Sequence, residues 1–523
     1  MSVNKKYMDL YLTEIYKNFV AIKDDDYKKS QEVFKGVFDQ VKQKMGENCK
    51  YFGKYSNQVL FAGSVYDGIK VSKLDEFDMD IVIRLPINYE HGENGIILEN
   101  DEPGFVKMKI INSFDNLDKQ PEWEDRHKVT RDWRDSDKYF LQNKFRAWMH
   151  SIVQKAVNDM KGEVTVNGDL YLLKYKMSGP AFTLNVRNSE GRPPFNLDVD
   201  LVPVIRFSHP RWPQGYKQVD GMQSRDWLVV PKPAKGMPET QQNRCWRLSF
   251  QDFERDLMKG CQQLKITIRL VKKLRDALGL KAIASYYIKT LFLWKIEKEN
   301  DRKYWQNKIS LLFQTMVEEL HEAIVKKNIP YYWNPSNNLI ETLKPTLQTL
   351  YADRLLEVIS SLKAGDIERS VAYLLNAEEL AQYKESEFYK HHLNLLANAS
   401  LKQQVSVQSV SSNGSQSSQD NDTMDTKSTS EGSLQNDTSL SMLKVLISKL
   451  DKLTDKLDKM SVSMTDKIEV LADKIDSLTD KVTLHENKLK HLERDTVGSL
   501  LLSDTDTNFS LLGENIPETA LLH

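Results

Sequence analysis

The chain has 523 residues, 40% hydrophobic and 9% aromatic, enough for two or three domains with a sizeable core. Its three cysteines, Cys49, Cys245 and Cys261, stand far apart and argue against a disulfide framework or a structural zinc site; no run of about 18 apolar residues could cross a membrane and no signal-peptide core opens the chain, so a soluble cytoplasmic protein is expected. The net charge of −1 hides an asymmetry: the first 400 residues carry 60 Lys and Arg against 54 Asp and Glu, the remainder 13 against 20, so the front part can present a basic face to a polyanion.

Residues 5–45 read as helix. Leu12, Ile15, Tyr16, Phe19 and Val20 recur at helical spacing, as do Val33, Val37, Phe38, Val41 and Met45, with a break at Asp24-Asp25-Asp26. Residues 53–86 turn to β-type sequence, and 87–120 read as a stretch containing loops. A helix is predicted over 139–160, where Phe140, Phe145, Trp148, Met149, Ile152, Val153 and Ala156 form a core-facing stripe. Strands are predicted across 164–207, with a turn at Gly179-Pro180 and a polar loop over 188–194. From 250 to 395 the pattern is helical, interrupted by Pro-Ser-Asn near 335.

Composition changes near 400. Residues 399–441 are mostly small and polar and cannot bury enough apolar area to offset chain entropy, so a disordered linker is expected. Over 442–494 a heptad pattern follows: Leu443, Leu446, Leu450, Leu453, Leu457 and Met460, a stutter through Met464 and Ile468, then Leu471 to Leu492. This predicts a self-associating coiled coil, with a disordered tail over 495–523.

The chemistry concentrates in 61–86. Gly63-Ser64 is followed, after eleven residues, by Glu76-Phe77-Asp78, which runs into the apolar Ile81-Val82-Ile83. On a strand, residues i and i+2 share a face, so the two carboxylates converge. Asp198 and Asp200 repeat the device on a later strand. No basic residue is spaced to neutralise these acids, so hard cations such as Mg²⁺ or Mn²⁺ are their expected partners. Three converging carboxylates can hold two such ions and serve phosphoryl transfer.

These motifs resemble the DNA polymerase β-like nucleotidyltransferases. The match is closer still to their cyclic GMP-AMP synthase branch, the Mab family: GSVYDGIKVSKLDEFD (63–78), SGPAFTL (178–184), WRLSF (246–250) and SYYIKT (285–290) all resemble its motifs, in order. The resemblance covers about residues 10–390. It implies an α+β fold: a nucleotidyltransferase core with a mixed sheet and an N-terminal spine helix over 1–245, and a helical lobe completing the active-site cleft over 246–398.

The resemblance also implies roles. Glu76, Asp78 and Asp200 would bind two Mg²⁺ or Mn²⁺ ions, with Asp198 the alternative to Asp200. Gly63 and Ser64 would hold a triphosphate. Tyr286 would stack on a base, flanked by Ser285 and Lys289. Arg247, Ser249 and Glu254 would face the second nucleotide, a guanine in this reading because guanine offers acceptors to Arg and donors to a carboxylate. Lys272, or Lys265 in a shifted alignment, would bind phosphate. The stretch after WRLSF lacks the His and Cys set of the vertebrate zinc thumb, so no zinc is expected. In this the chain is similar to the invertebrate cyclic GMP-AMP synthase-like receptors, which implies ATP and GTP as substrates, double-stranded RNA as activator and a cyclic dinucleotide as product. Lys17, Lys28, Lys29, Lys35, Lys42 and Lys44 are the candidate RNA contacts. A non-catalytic scaffold and a transferase making linear oligonucleotides remain open from sequence.

Overall fold

Alternation decides how the sheet is buried. In the computed structural model, which describes residues 3–391 apart from 179–180, 189, 191–193, 220–224 and 235, ten strands form one sheet. In chain order they are β1 (Gln58–Ala62), β2 (Glu76–Val82), β3 (Ile97–Glu99), β4 (Phe105–Lys109), β5 (Glu163–Val166), β6 (Asp169–Ser178), β7 (Ala181–Asn188), β8 (Phe195–Ser208), β9 (Asp226–Val230) and β10 (Cys245–Ser249). The expected linker, coiled coil and tail lie outside the described residues.

The central pair, β2 and β8, is parallel, with Glu76 beside Asp198, Asp78 beside Asp200 and Asp80 beside Val202. β1 flanks β2 antiparallel, Ala62 beside Asp78. The long β8 serves two neighbourhoods: its first half pairs with β7, and its second half with β9, which leads on to β10 and β4. Odd-numbered Phe77, Met79, Ile81, Leu197, Val199 and Leu201 are buried in the main core. Even-numbered residues face the other way, where Val82, Val202, Val204 and Leu228 make a small separate apolar cluster.

The main core is closed by helices. α1 (Val3–Ile15) continues through a π-helical turn, Tyr16–Val20, and α2 (Asp24–Asn48) follows. The break falls at Ala21–Lys23, and the three aspartates expected to break the helix instead form the first turn of α2, where carboxylates favour the positive end of the helix dipole. α2 buries Val33, Phe34, Val37, Phe38, Val41 and Met45, and Phe34 stacks on Phe77 of β2 with ring centroids 4.4 Å apart. α3 (Gln142–Asp159) packs against α2. Within 53–86 the β pattern is broken by the end of a short helix, Lys50–Tyr55, and by a helical turn, Gly63–Tyr66. The 87–120 stretch carries β3 and β4 as well as loops, because Val106 and Met108 are buried.

Helices α4 (Gln251–Leu257), α5 (Gln262–Ala277), α6 (Ser285–Glu299), α7 (Ile309–Val325) and α8 (Pro345–Ala364) follow, with a hairpin of Pro330–Tyr331 and Asn334–Asn338 at the expected interruption. The expected 245/246 border falls at the first residue of β10, which is still part of the sheet. α1 packs on α7, and Asp9 accepts a hydrogen bond from the Ser310 backbone N–H at 2.8 Å, so the N-terminal segment is joined to the helical part while α2 lies under the sheet. No helix among the described residues is long and apolar enough to cross a membrane.

The Phe34–Phe77 stack predicts that Phe77→Ala destabilises the folded chain by about 3–5 kcal/mol. Denaturant unfolding of the purified variant checks this; an unchanged midpoint would count against the stack as a main support of β2.

Candidate active site

Register brings the acids together. Because β2 and β8 are parallel and in step, Glu76, Asp78 and Asp200 each offer an oxygen within 4.8 Å of the others, the one group of three or more potential metal ligands among the described residues. Asp200 also accepts a hydrogen bond from Thr183 on β7 at 2.5 Å. Asp198 lies in the same row beside Glu76 but outside that group, and takes a hydrogen bond from Asn185 at 2.6 Å. Burial, then the charges of Glu76 and Asp200, push the Asp78 carboxyl up to about 6. Burial likewise raises Asp200 against the opposing Thr183 hydrogen bond. Half-buried hard oxygens crowded in this way fit a divalent cation.

The expectation that no basic residue neutralises these acids does not hold. Lys70 reaches back from the loop before β2 to Asp75 at 2.9 Å and Glu76 at 3.1 Å. The loop conformation, not sequence spacing, creates this pair.

Gly63 is required by contact. It has φ +70, and a Cβ placed there would stand 1.6 Å from Asp78 Oδ2; only glycine lets the turn after β1 close over the acids. Behind it, Arg255 holds the loop through Asp67 at 3.0 Å and the Phe61 carbonyl at 2.9 Å.

A cavity of about 440 Å³ opens above this turn. Its walls include Gly63, Ser64, Asp78, Arg247, Ser249 and Lys272, together with Glu254, Ser285, Tyr286 and Lys289. Ten of the residues expected to meet nucleotide therefore converge. Trp246, stacked on Phe140 at 4.8 Å, anchors the buried face of β10, so Arg247 and Ser249 alternate into the cavity. Lys272 donates to the Ile69 carbonyl at 2.7 Å, and burial lowers its pKa to about 8. Lys265 is not among the lining residues and lies beside Gly68. Arg275 donates to the Ser285 hydroxyl at 2.6 Å.

Two expected ligand contacts turn out to be tied to each other. Glu254, buried, binds Lys289 at 2.7 Å, accepts from the Tyr286 hydroxyl at 2.7 Å and from Trp333 at 2.9 Å. Lys289 is also paired with Asp67 at 2.6 Å. Burial pushes the Glu254 carboxyl up, but the Lys289 charge and these hydrogen bonds outweigh it and hold it below its ordinary range. Lys289 is raised because Glu254 and Asp67 outweigh its burial. Glu254 and Lys289 thus fix the cavity wall and orient Tyr286 instead of presenting free charges. Sequence reasoning missed Asp67, Asp80, Gln251 and Tyr331 in the lining; for Asp80 the signal was present, as the third acid in the alternation Glu76-x-Asp78-x-Asp80.

The comparisons decide the family. Residues 65–260 match the model of the Mab-21 protein nucleotidyltransferase domain, and residues 263–357 match that of the Mab-21 protein HhH/H2TH-like domain. A cyclic GMP-AMP synthase-like receptor of Ctenocephalides felis is 33% identical over 400 residues, covering 73% of this chain and 91% of that protein. Proteins of the same description from Aethina tumida and Tribolium castaneum are each 33% identical, covering 71% and 73% of this chain and 93% and 95% of theirs. The chain belongs to the Mab-21 nucleotidyltransferase family.

As a Mab-21 nucleotidyltransferase, the chain carries its six candidate lysines on more than one surface. Lys28, Lys35 and Lys42 recur at seven-residue spacing on one face of α2. Lys29 lies over the Phe195 ring and Lys44 pairs with Glu47, both turned elsewhere, and Lys17 is exposed on the preceding π-helical turn.

The buried pair Glu254–Lys289 generates a prediction. Its Glu254 contribution is complete above the ordinary glutamate range and lost as pH falls through the lowered folded value; the Lys289 contribution is complete below the ordinary lysine range and lost as pH rises past the raised one. Glu254→Gln, which strands Lys289 against one carboxylate, is expected to destabilise by about 3–5 kcal/mol at pH 7. Measured by denaturation, the deficit should shrink in acid, below the ordinary glutamate range; a deficit independent of pH would contradict the assignment.

Proposed function

We propose that this chain is a metal-dependent nucleotidyltransferase that joins ATP and GTP into a cyclic dinucleotide of the cyclic GMP-AMP type, switched on by double-stranded RNA in antiviral innate immune signalling in the cytoplasm. The observation that carries the proposal is the Glu76–Asp78–Asp200 cluster, whose Asp78 lines, with Gly63 and Ser64, the cavity that Arg247 and Lys272 also line. The names of the relatives support the product class.

Glu76, Asp78 and Asp200 would hold the cations. Divalent ions bound there, two Mg²⁺ or Mn²⁺, supply the Lewis acidity that offsets charge on an attacking hydroxyl and on departing pyrophosphate. The Ser64 hydroxyl and the Lys272 ammonium would meet the triphosphate. Tyr286, its hydroxyl fixed by Glu254, would offer its ring to a base. Arg247 and Ser249 would face the second nucleotide. A ribose hydroxyl oxygen then attacks the α-phosphorus of the partner nucleotide, the bond to pyrophosphate breaks and the hydroxyl proton leaves to solvent. A second such step closes the ring.

RNA would be read through phosphate contacts rather than sequence. Lys28, Lys35 and Lys42 offer such contacts, and α2 bears directly on β2 through Phe34 and Phe77, so a duplex lying along α2 can bias the strand that carries the acids. Self-association through 442–494 would raise avidity for long RNA.

The test incubates the full-length protein with ATP, GTP and Mg²⁺ or Mn²⁺, with double-stranded RNA, double-stranded DNA or neither, and identifies products by mass and nuclease sensitivity. A cyclic dinucleotide with double-stranded RNA is expected, reduced about 10²–10³-fold by Asp78→Ala and far less by Asp198→Ala. No product with any ligand would sink the proposal.

A further inference from the structure

Asp80 is the third carboxylate on the same face of β2. It lies two residues beyond Asp78, lines the cavity, and is only 6% exposed. It stands outside the cluster of three. Gln251 donates to it at 3.1 Å, and no lysine, arginine or histidine among the described residues forms an ion pair with it. Arg247 is its counterpart. That guanidinium lies 5.7 Å from the Tyr286 ring centroid and likewise forms no ion pair among the described residues. Asp80 and Arg247 therefore line one cavity without pairing with each other.

The register shows what lies between them. Asp80 sits beside Val202, Ile205 sits beside Val229 and Val230 sits beside Arg247, which places Asp80, Val202, Val230 and Arg247 on one face of four successive strands. Val202 and Val230 also line the cavity. Val230 lies opposite Val204, two residues further along β8 than Val202, so the floor steps diagonally from Asp80 and Val202 to Val230 and Arg247, three strand spacings across and two residues along, on the order of 16 Å. Once the side chains reach inward, the gap suits a flat heterocycle lying on the valines with a polar edge at each end.

The ends differ in kind. Arg247 can donate to paired acceptors, such as O6 and N7 of guanine. A carboxylate can only accept, and guanine presents N1–H and its 2-amino group side by side. Adenine presents an unprotonated N1 and no 2-amino group, so a carboxylate there faces a lone pair. Glu254, the acid first expected in this role, is occupied by Lys289, Tyr286 and Trp333.

We propose that Asp80 is the residue that selects guanine at the second-nucleotide position, its carboxylate accepting from N1–H and the 2-amino group of a base lying on Val202 and Val230 with Arg247 at the O6/N7 edge. The inference rests on the nucleotidyltransferase reading above. It assigns Asp80 to the substrate base and not to the metal cluster.

The test holds ATP saturating with Mg²⁺ and double-stranded RNA, and compares kcat/KM for GTP and for inosine triphosphate, which lacks only the 2-amino group. The wild-type protein is expected to favour GTP by about 10–100-fold, the range for a hydrogen bond to a charged group. Asp80→Asn should bring the ratio close to one, chiefly through KM. A structural role or a metal-binding role would lower both substrates alike and leave the ratio intact, which would overturn the proposal. So would a wild-type ratio near one, a result that needs no variant to fold. Wild-type protein that turns over neither substrate would overturn the enzyme reading itself, and with it this inference.

Discussion

Three carboxylates within 4.8 Å of one another repel. At an effective dielectric constant of about 20, each pair costs on the order of 3 kcal/mol. The fold has to hold them there, and much of the structure can be read as the means of doing so. Parallel pairing of β2 with β8 fixes the row, and the apolar odd face of both strands, anchored on α2 and α3, keeps it from slipping, since a one-residue slip would turn Asp78 into the core and Phe77 out of it. Thr183 and Lys70 each absorb part of the charge. The residual repulsion shows in Asp78, raised by burial and by its neighbours, and a divalent cation would relieve it.

A second buried charge set fixes what the first one faces. Asp67 follows β1, Glu254 is on α4 and Lys289 on α6, so this network stitches the turn over the acids to the helical part. Removing Lys289 would leave the Glu254 carboxylate without a counter-charge in a low-dielectric wall. The same network holds Tyr286 in place, so the wall of the cavity and the loop that closes over the acids share one set of bonds. The acids and this wall are thereby coupled in position.

Much of this was legible in sequence because alternation is a strong signal. Glu76-x-Asp78 and Asp198-x-Asp200 could only share a face if they lay on strands, and the register sets both pairs in one row. The resemblance of 246–250 and 285–290 to family motifs pointed to side chains that do meet in one cavity. What was not legible depends on long-range geometry. Lys70 finds Glu76 through a loop, and Glu254 finds Lys289, Tyr286 and Trp333 across distances in sequence that no periodicity reports. β3 and β4 were hidden by short length and surrounding glycines. The three aspartates at 24–26 were misread because a charge run can break a helix or begin one, and the helix dipole favours the second. Of the six candidate lysines, helical phase places Lys28, Lys35 and Lys42 on one face of α2.

The central claim is that this trio, and not Asp198, holds the metal. Mn²⁺ titrated into the full-length protein and followed by the electron paramagnetic resonance signal of the free ion tests it without requiring activator or turnover. The account predicts saturable binding by the wild-type protein, loss of that binding in Asp78→Asn and in Asp200→Asn, and its retention in Asp198→Asn. Equal binding by all four proteins, or loss confined to Asp198→Asn, would contradict it.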